Sequence, residues 1–150
     1  MKIYFASDHA GFELKEKLKE HVKSQDYEVE DLGVSEYDAQ DDYPDFISKA
    51  AKAVAEDEGS KGIILGGSGQ GEAIVANKQK GIRAIVFYGG PEKIIKLSRE
   101  HNDANILSLG ARFLDEKDAK DSVDLWLGTN FSEEERHQRR IQKISDIESK

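Results

Sequence analysis

The densest chemistry in this chain lies in GGSGQGEAIVANK, Gly66 to Lys78, where four glycines fall within six residues and a helix-forming run follows. Consecutive glycines let backbone N–H groups turn toward one point, and the start of the next helix adds its positive end. Gly67, Ser68, Gly69, Gln70 and Gly71 can therefore cradle an anion without any basic side chain. Glu72 comes immediately after them. A carboxylate at the mouth of such a cradle repels a phosphate, which points to an anion that develops during a reaction, with Glu72 as the base that creates it. Two familiar glycine motifs do not fit: Glu72 stands where a P-loop has its Lys, and Gly67-x-Gly69-x-x-Glu72 lacks the third dinucleotide glycine. The same residues also suit a tight strand-to-helix turn, with Glu72 placed favourably in a first helical turn. Spacing alone leaves both readings open.

Three further groups matter. SDHAG places Asp8 and His9 directly after an apolar run, and SREHNDAN places His101 and Asn102 just before another. An Asp and a His brought together can open a sugar ring or shuttle a proton, since histidine changes charge near neutral pH. Both types are also common in caps and loops. Arg136 and Arg140, spaced i, i+4, can converge on one phosphate, with Arg112 completing the set. The alternative is that Glu133, Glu134 and Glu135 pair with these arginines along a solvated helix face. His21, in a polar helical segment, reads as solvated surface.

Alternating elements must position these groups. KIYFA, residues 2–6, reads as a strand, and Phe12, Leu14, Leu18 and Val22 form an apolar stripe at helical spacing. A second strand is expected over 27–32. The polar loop SEYDAQDDYP then leads to Pro44 in the first turn of a helix that buries Ile47, Ala50, Ala51 and Val54. GIIL (62–65) is a strand, 73–77 begins a helix, and 82–87 is a strand. Helix over 91–100, strand over 106–109 and helix over 116–127 complete the alternation. Ser132, with Glu135 three residues later, reads as the capping box of a C-terminal helix.

Continuous apolar runs separated by helices indicate parallel strands covered on both faces. The expected class is α/β: a single-domain three-layer α/β/α sandwich over residues 1–150, with a doubly wound, Rossmann-like five-stranded parallel sheet and an extra C-terminal helix. In such sheets ligands sit beyond the carboxyl ends of the strands, where Asp8, His9 and the glycine loop fall.

Composition narrows the function. A chain of 150 residues with 37% hydrophobic content supports one core and has no room for a second domain. The net charge of -8 and pI near 5.1 disfavour a nucleic-acid partner. There is no cysteine, which excludes disulfides, thiolate catalysis and Cys-ligated metals. No run approaches the roughly 18 apolar residues of a membrane span, and the apolar run in MKIYFASDHAG is too short for a signal peptide, so a cytoplasmic protein with no membrane partner is expected.

Taken in order, SDHAGFELK, DYPDF, GGSGQGEAIVANK, GIRA, SREHNDANILSLGAR and RHQRRIQKI resemble the type B ribose-5-phosphate isomerases, from Lys2 to about Ile147. This sugar-phosphate isomerase family also includes galactose-6-phosphate and allose-6-phosphate isomerases. The resemblance implies interconversion of an aldose phosphate and its ketose through an enediolate, with no metal and no cofactor. It implies that Asp8 and His9 bind the sugar, that His101 opens its ring with help from Asp8, and that Tyr43 lines the pocket. Gly67, Ser68, Gly69, Gln70 and Gly71 would stabilise the enediolate oxygens, with the Ser68 hydroxyl moving a proton between them. Asn102 would hydrogen-bond the sugar, while Arg112, Arg136 and Arg140 would hold the phosphate with His137 as a neighbour. The partner implied besides the sugar phosphate is a second copy of the chain: a homodimer, or a tetramer, whose active site takes the His101 segment from the other subunit.

One departure bears on the chemistry. Many members of the family carry a cysteine base at the position of Gly66, whereas a subgroup has glutamate at the position of Glu72 with serine in the cradle, and this chain matches the subgroup. The resemblance and the loop chemistry thus select the same base. D-Ribose 5-phosphate is the expected substrate, with D-ribulose 5-phosphate as product. Allose 6-phosphate, galactose 6-phosphate or a tetrose phosphate could use the same machinery. The other function class is a non-catalytic sugar-phosphate-binding protein, against which Glu72, Ser68, Asp8 and His101 argue together.

Overall fold

The computed structural model describes Met1–Lys150. In chain order its elements are β1 (Lys2–Ser7), a 3-10 turn (His9–Gly11), α1 (Phe12–Lys23), β2 (Glu28–Asp31), α2 (Tyr43–Glu56), β3 (Lys61–Gly66), α3 (Gln70–Ala76), β4 (Ala84–Phe87), α4 (Lys93–Glu100), β5 (Ile106–Gly110), α5 (Glu116–Gly128) and α6 (Glu135–Glu148). The five strands are all parallel, in the order β2-β1-β3-β5-β4. Every residue of β3 and β5 is buried, which is why their sequences run apolar without alternation.

Side chains of period two feed opposite cores. Phe5, Ile63, Leu65 and Leu107 pack with Leu18 of α1, Ile95 of α4 and Trp126 of α5. Tyr4, Ala6, Ile64 and Ile106 pack with Ile47 and Val54 of α2 and Ala76 of α3. From β1 the chain moves outward through α1 to β2, then returns through α2 on the opposite face to β3, on the other side of β1. The carboxyl ends of β1 and β3 therefore border the crevice where the winding reverses, and that crevice holds the site.

The structure corrects several local expectations. α3 starts at Gln70 rather than Ala73, because Gly69 adopts a left-handed N-cap (φ +79°). β4 begins at Ala84, not Ile82, because the Arg83 N–H is taken by the Asn105 side chain (2.8 Å). β2 is confined to Glu28–Asp31, and α4 begins at Lys93 rather than Pro91. In α1, Lys15 is fully buried and Leu14 only partly, since the Lys15 ammonium finds Asp31 Oδ1 at 2.9 Å and the Val34 carbonyl. His21 is no free surface residue: its Nε2 lies 2.8 Å from Asp124 on α5. The capping box at Ser132 does not form. The Ser132 N–H donates to the Glu100 carbonyl (3.2 Å), Glu133 turns left-handed, and Glu134 becomes the N-cap of α6 without a side-chain cap bond.

Candidate active site

Asp8 follows β1 directly and N-caps the 3-10 turn, its Oδ1 accepting from the Ala10 N–H at 3.0 Å. Next to it, His9 is held by Asp41, whose Oδ1 accepts from the His9 backbone N–H (3.2 Å) and lies 2.8 Å from Nδ1. A carboxylate can only accept, so Nδ1 carries the proton of that bond and Nε2 is left unengaged. Asp41 belongs to the acidic stretch read as a plain loop. Neither period nor motif marked it, although its side chain is only 5% exposed.

The loop after β3 is pinned through its carbonyls. Gly66 O accepts from the Ala111 N–H (2.8 Å), Gly67 O from the Arg112 N–H (3.1 Å) and Gly69 O from Ser108 Oγ (2.7 Å). The backbone N–H groups of Gly67, Ser68 and Gly69 make no hydrogen bond within the chain. Carbonyls bound on one side and free amides on the other make the loop a donor cradle. With α3 only seven residues long, the loop amides rather than an extended helix supply the positive end. Ser68 Oγ accepts from the Gln70 N–H (3.3 Å), so its own hydrogen is available to donate.

Glu72 sits beneath this cradle, 4% exposed. Burial, and secondarily the Asp8 carboxylate, push its pKa above the ordinary carboxylate range, against a smaller opposing effect of its own N–H. A Cβ placed on Gly66 would overlap the Glu72 carboxylate. The carboxylate thus fills the volume that a side chain at position 66 would occupy, so glycine at 66 and glutamate at 72 fit only as a pair.

A cavity of about 340 Å³ gathers Asp8, His9, Tyr43, Gly67, Ser68, Gly71, Glu72 and Arg112. The Tyr43 hydroxyl closes over Gly71, and the Arg112 guanidinium over Gly67. Gly69 and Gln70 shape the loop without lining the cavity. The other predicted residues lie elsewhere. His101 ends α4 and stacks on His137 of α6, with ring centroids 4.1 Å apart and planes 17° from parallel. His137 is buried, and burial, then His101 and Arg136, hold its pKa below the usual histidine value. Arg136 and Arg140 are exposed, Arg136 3.5 Å from Glu134. Asn102 lies against the end of α6 with Ile144 and Ile147. A single chain therefore presents two separate sets, one around Glu72 and one around His101.

Donor atoms of Asp8, His9 and Asp41 lie within 4.8 Å of one another, close enough to ligate a cation, but the His9–Asp41 hydrogen bond already engages Nδ1. The cavity combines a buried base, unpaired amide donors and a guanidinium. That set can remove a proton from a carbon next to a carbonyl and hold the oxyanion that results.

The family model described as Ribose/Galactose Isomerase matches residues 3–144. The ribose-5-phosphate isomerase B of Mycobacterium tuberculosis is 43% identical over 148 residues, covering 99% of this chain and 90% of that protein. The corresponding protein of Escherichia coli is 42% identical over 149 residues, covering 99% and 97%. The crystal structure of ribose-5-phosphate isomerase B from Mycoplasma genitalium with bound ribulose-5-phosphate matches with a TM-score of 0.94 at 41% identity, over 99% of this chain and 97% of that one.

Proposed function

Because this chain belongs to the ribose/galactose isomerase family, we propose that it interconverts D-ribose 5-phosphate and D-ribulose 5-phosphate through an enediolate, with Glu72 as the base. The observation that carries this reading is the Glu72 carboxylate, buried under three unpaired loop amides. With the open-chain aldose in the cavity, Glu72 takes the proton from C2. The C2–H electron pair becomes the C1–C2 double bond, and the carbonyl pair moves onto O1. The amides of Gly67, Ser68 and Gly69 meet the charge that develops there. The Ser68 hydroxyl passes a proton between O2 and O1, and Glu72 returns its proton to C1 to give the ketose. A carboxylate with raised proton affinity is better matched to abstraction from carbon than an ordinary one.

The remaining roles are those that the family resemblance implies. Asp8 assists opening of the furanose ring with His101 as the acid, His9 hydrogen-bonds a sugar hydroxyl through Nε2, and Tyr43 closes the wall. Arg112 reaches the phosphate from the cavity's own chain. His101, Asn102, Arg136 and Arg140 come from a second copy, so the working unit is a homodimer. The test is turnover of a panel of aldose phosphates in deuterated water. Highest kcat/KM on ribose 5-phosphate, with solvent deuterium at the reacting carbons, is expected. Preference for allose 6-phosphate, galactose 6-phosphate or a tetrose phosphate reassigns the substrate, and no turnover of any leaves only a binding protein.

A further inference from the structure

The edge of the sheet opposite the reaction carries a group of cations that the isomerisation does not use. β3 enters at Lys61 and ends at Gly66, five residue steps or about 16 Å of strand from the glycine loop. At the Lys61 end a cavity of about 550 Å³ is lined by Lys61, Arg83 and Arg99, with Glu58 and Asp103 as its acids. Lys61 is only 9% exposed, and its ammonium meets no oxygen acceptor; its one hydrogen-bonding neighbour is the Met1 thioether at 3.9 Å. Arg99, also buried, donates to the Thr129 carbonyl (3.0 Å), the Ala104 carbonyl (2.6 Å) and Asp103 Oδ1 (2.8 Å). Asp103 is shared with Arg83 at 3.5 Å, so one carboxylate serves two guanidinium groups and none serves Lys61.

A nearly buried ammonium without an oxygen partner is costly, and here the charge of Arg99 adds to the cost. Three cations against Asp103 and an exposed Glu58 leave this cleft positive in a chain of net charge -8. Arg83 donates through Nε and Nη2 to the Asn102 and Asp103 carbonyls, and Arg99 through Nε and Nη1 as above. The donors left are Arg83 Nη1, Arg99 Nη2 and the Lys61 ammonium, three side chains that can each meet a different oxygen of a phosphate. The volume is that of a small-molecule pocket. We infer that this cleft is a second anion site, which binds a small phosphate-bearing molecule through Lys61 with Arg83 and Arg99.

Trp126, the only tryptophan, reports on the site, because the Lys61 ammonium and the Arg99 guanidinium each lie 5.9 Å from its ring centroid. The experiment titrates inorganic phosphate at constant ionic strength, reading Trp126 emission. It uses the wild type, the Arg136→Ala/Arg140→Ala variant in which the proposed catalytic clamp is removed, and Lys61→Met. The expected result is a saturable change in the first two and a dissociation constant raised about tenfold or more in Lys61→Met, the scale of one charge-assisted hydrogen bond. Lys61→Met should turn over sugar phosphate like wild type, and Arg83→Gln should weaken phosphate as well. Glycerol 3-phosphate in a parallel titration separates an ester ligand, if it binds more tightly, from free phosphate. The inference is overturned by no saturable response in wild type, an equal response in Lys61→Met, an equal response to chloride, or a response lost in Arg136→Ala/Arg140→Ala.

Discussion

Glu72 is both the proposed base and a buried carboxylate whose ionisation weighs on the fold. Glu72→Gln keeps size and polarity but cannot accept a proton from carbon, so kcat should fall by about 10²-fold or more. The raised pKa also has a thermodynamic sign. Ionising Glu72 costs the folded state nothing below its ordinary value of 4.5. The cost grows as pH rises from there through the folded pKa, and is complete above it. Glu72→Gln should therefore melt above wild type at neutral pH and lose that advantage below about pH 4.5 in calorimetry; equal melting at both pH values would contradict the burial argument. Since the proposed route moves protons only through the Glu72 carboxylate and the Ser68 hydroxyl, saturating EDTA and iodoacetamide should leave turnover unchanged; loss with EDTA reversed by a divalent ion would point to Asp8, His9 and Asp41 as ligands. Arg136→Ala/Arg140→Ala should raise KM strongly while lowering kcat less, because the phosphate stays remote from the reacting carbons. Unchanged kinetics would return both arginines to the solvated face on which Arg136 already approaches Glu134.

Among the elements, the packing of α1 on β2 depends on charge as well as on its apolar stripe. Asp31, at the end of β2, receives Lys15 at 2.9 Å and Lys19 at 2.7 Å, and Lys15 is wholly buried. Burial alone would raise the Asp31 pKa, but hydrogen bonds from Lys19, the Gly33 N–H and Lys15 outweigh it and hold the group below its ordinary 3.8. Its stabilising contribution is present above that value and lost as pH falls through the folded pKa. Asp31→Asn leaves a buried ammonium without its counter-charge and should cost about 3 kcal/mol, lowering Tm by about 10 °C at neutral pH. The deficit should vanish at strongly acid pH. A shift of under 2 °C at neutral pH would assign α1 packing to Leu18 and Val22 alone.

For the whole molecule, the separation of the Glu72 and His101 sets makes the proposed dimer testable through catalysis. Glu72→Gln and His101→Asn should each be nearly inactive. A heterodimer of the two holds one site with both defects and one with neither. Random reassortment of equal amounts should therefore restore about a quarter of wild-type activity, since half the dimers are mixed and one site in two is intact. No recovery after subunit exchange would place Glu72 and His101 in one chain's site. No helix of this chain is long and apolar enough to cross a membrane.

Some of this was legible without coordinates. The alternation of elements could be read because burial leaves a local period, and the glycine loop because a left-handed cap and close backbone packing demand that residue type. Gly69 at φ +79° and Gly66 against Glu72 are its physical basis. Interactions between distant segments left no such mark. Ser132 and Glu135 have the spacing of a capping box, but the Ser132 N–H is bonded to Glu100 at the end of α4. Asp41 fixes His9 across 32 residues from a loop without periodicity. Whether burial or amide donors govern the Glu72 proton could not be decided from neighbours in the chain. It was decided when β3 and its loop enclosed the carboxylate and β1 brought Asp8 beside it, because desolvation depends on everything that surrounds a charge in space.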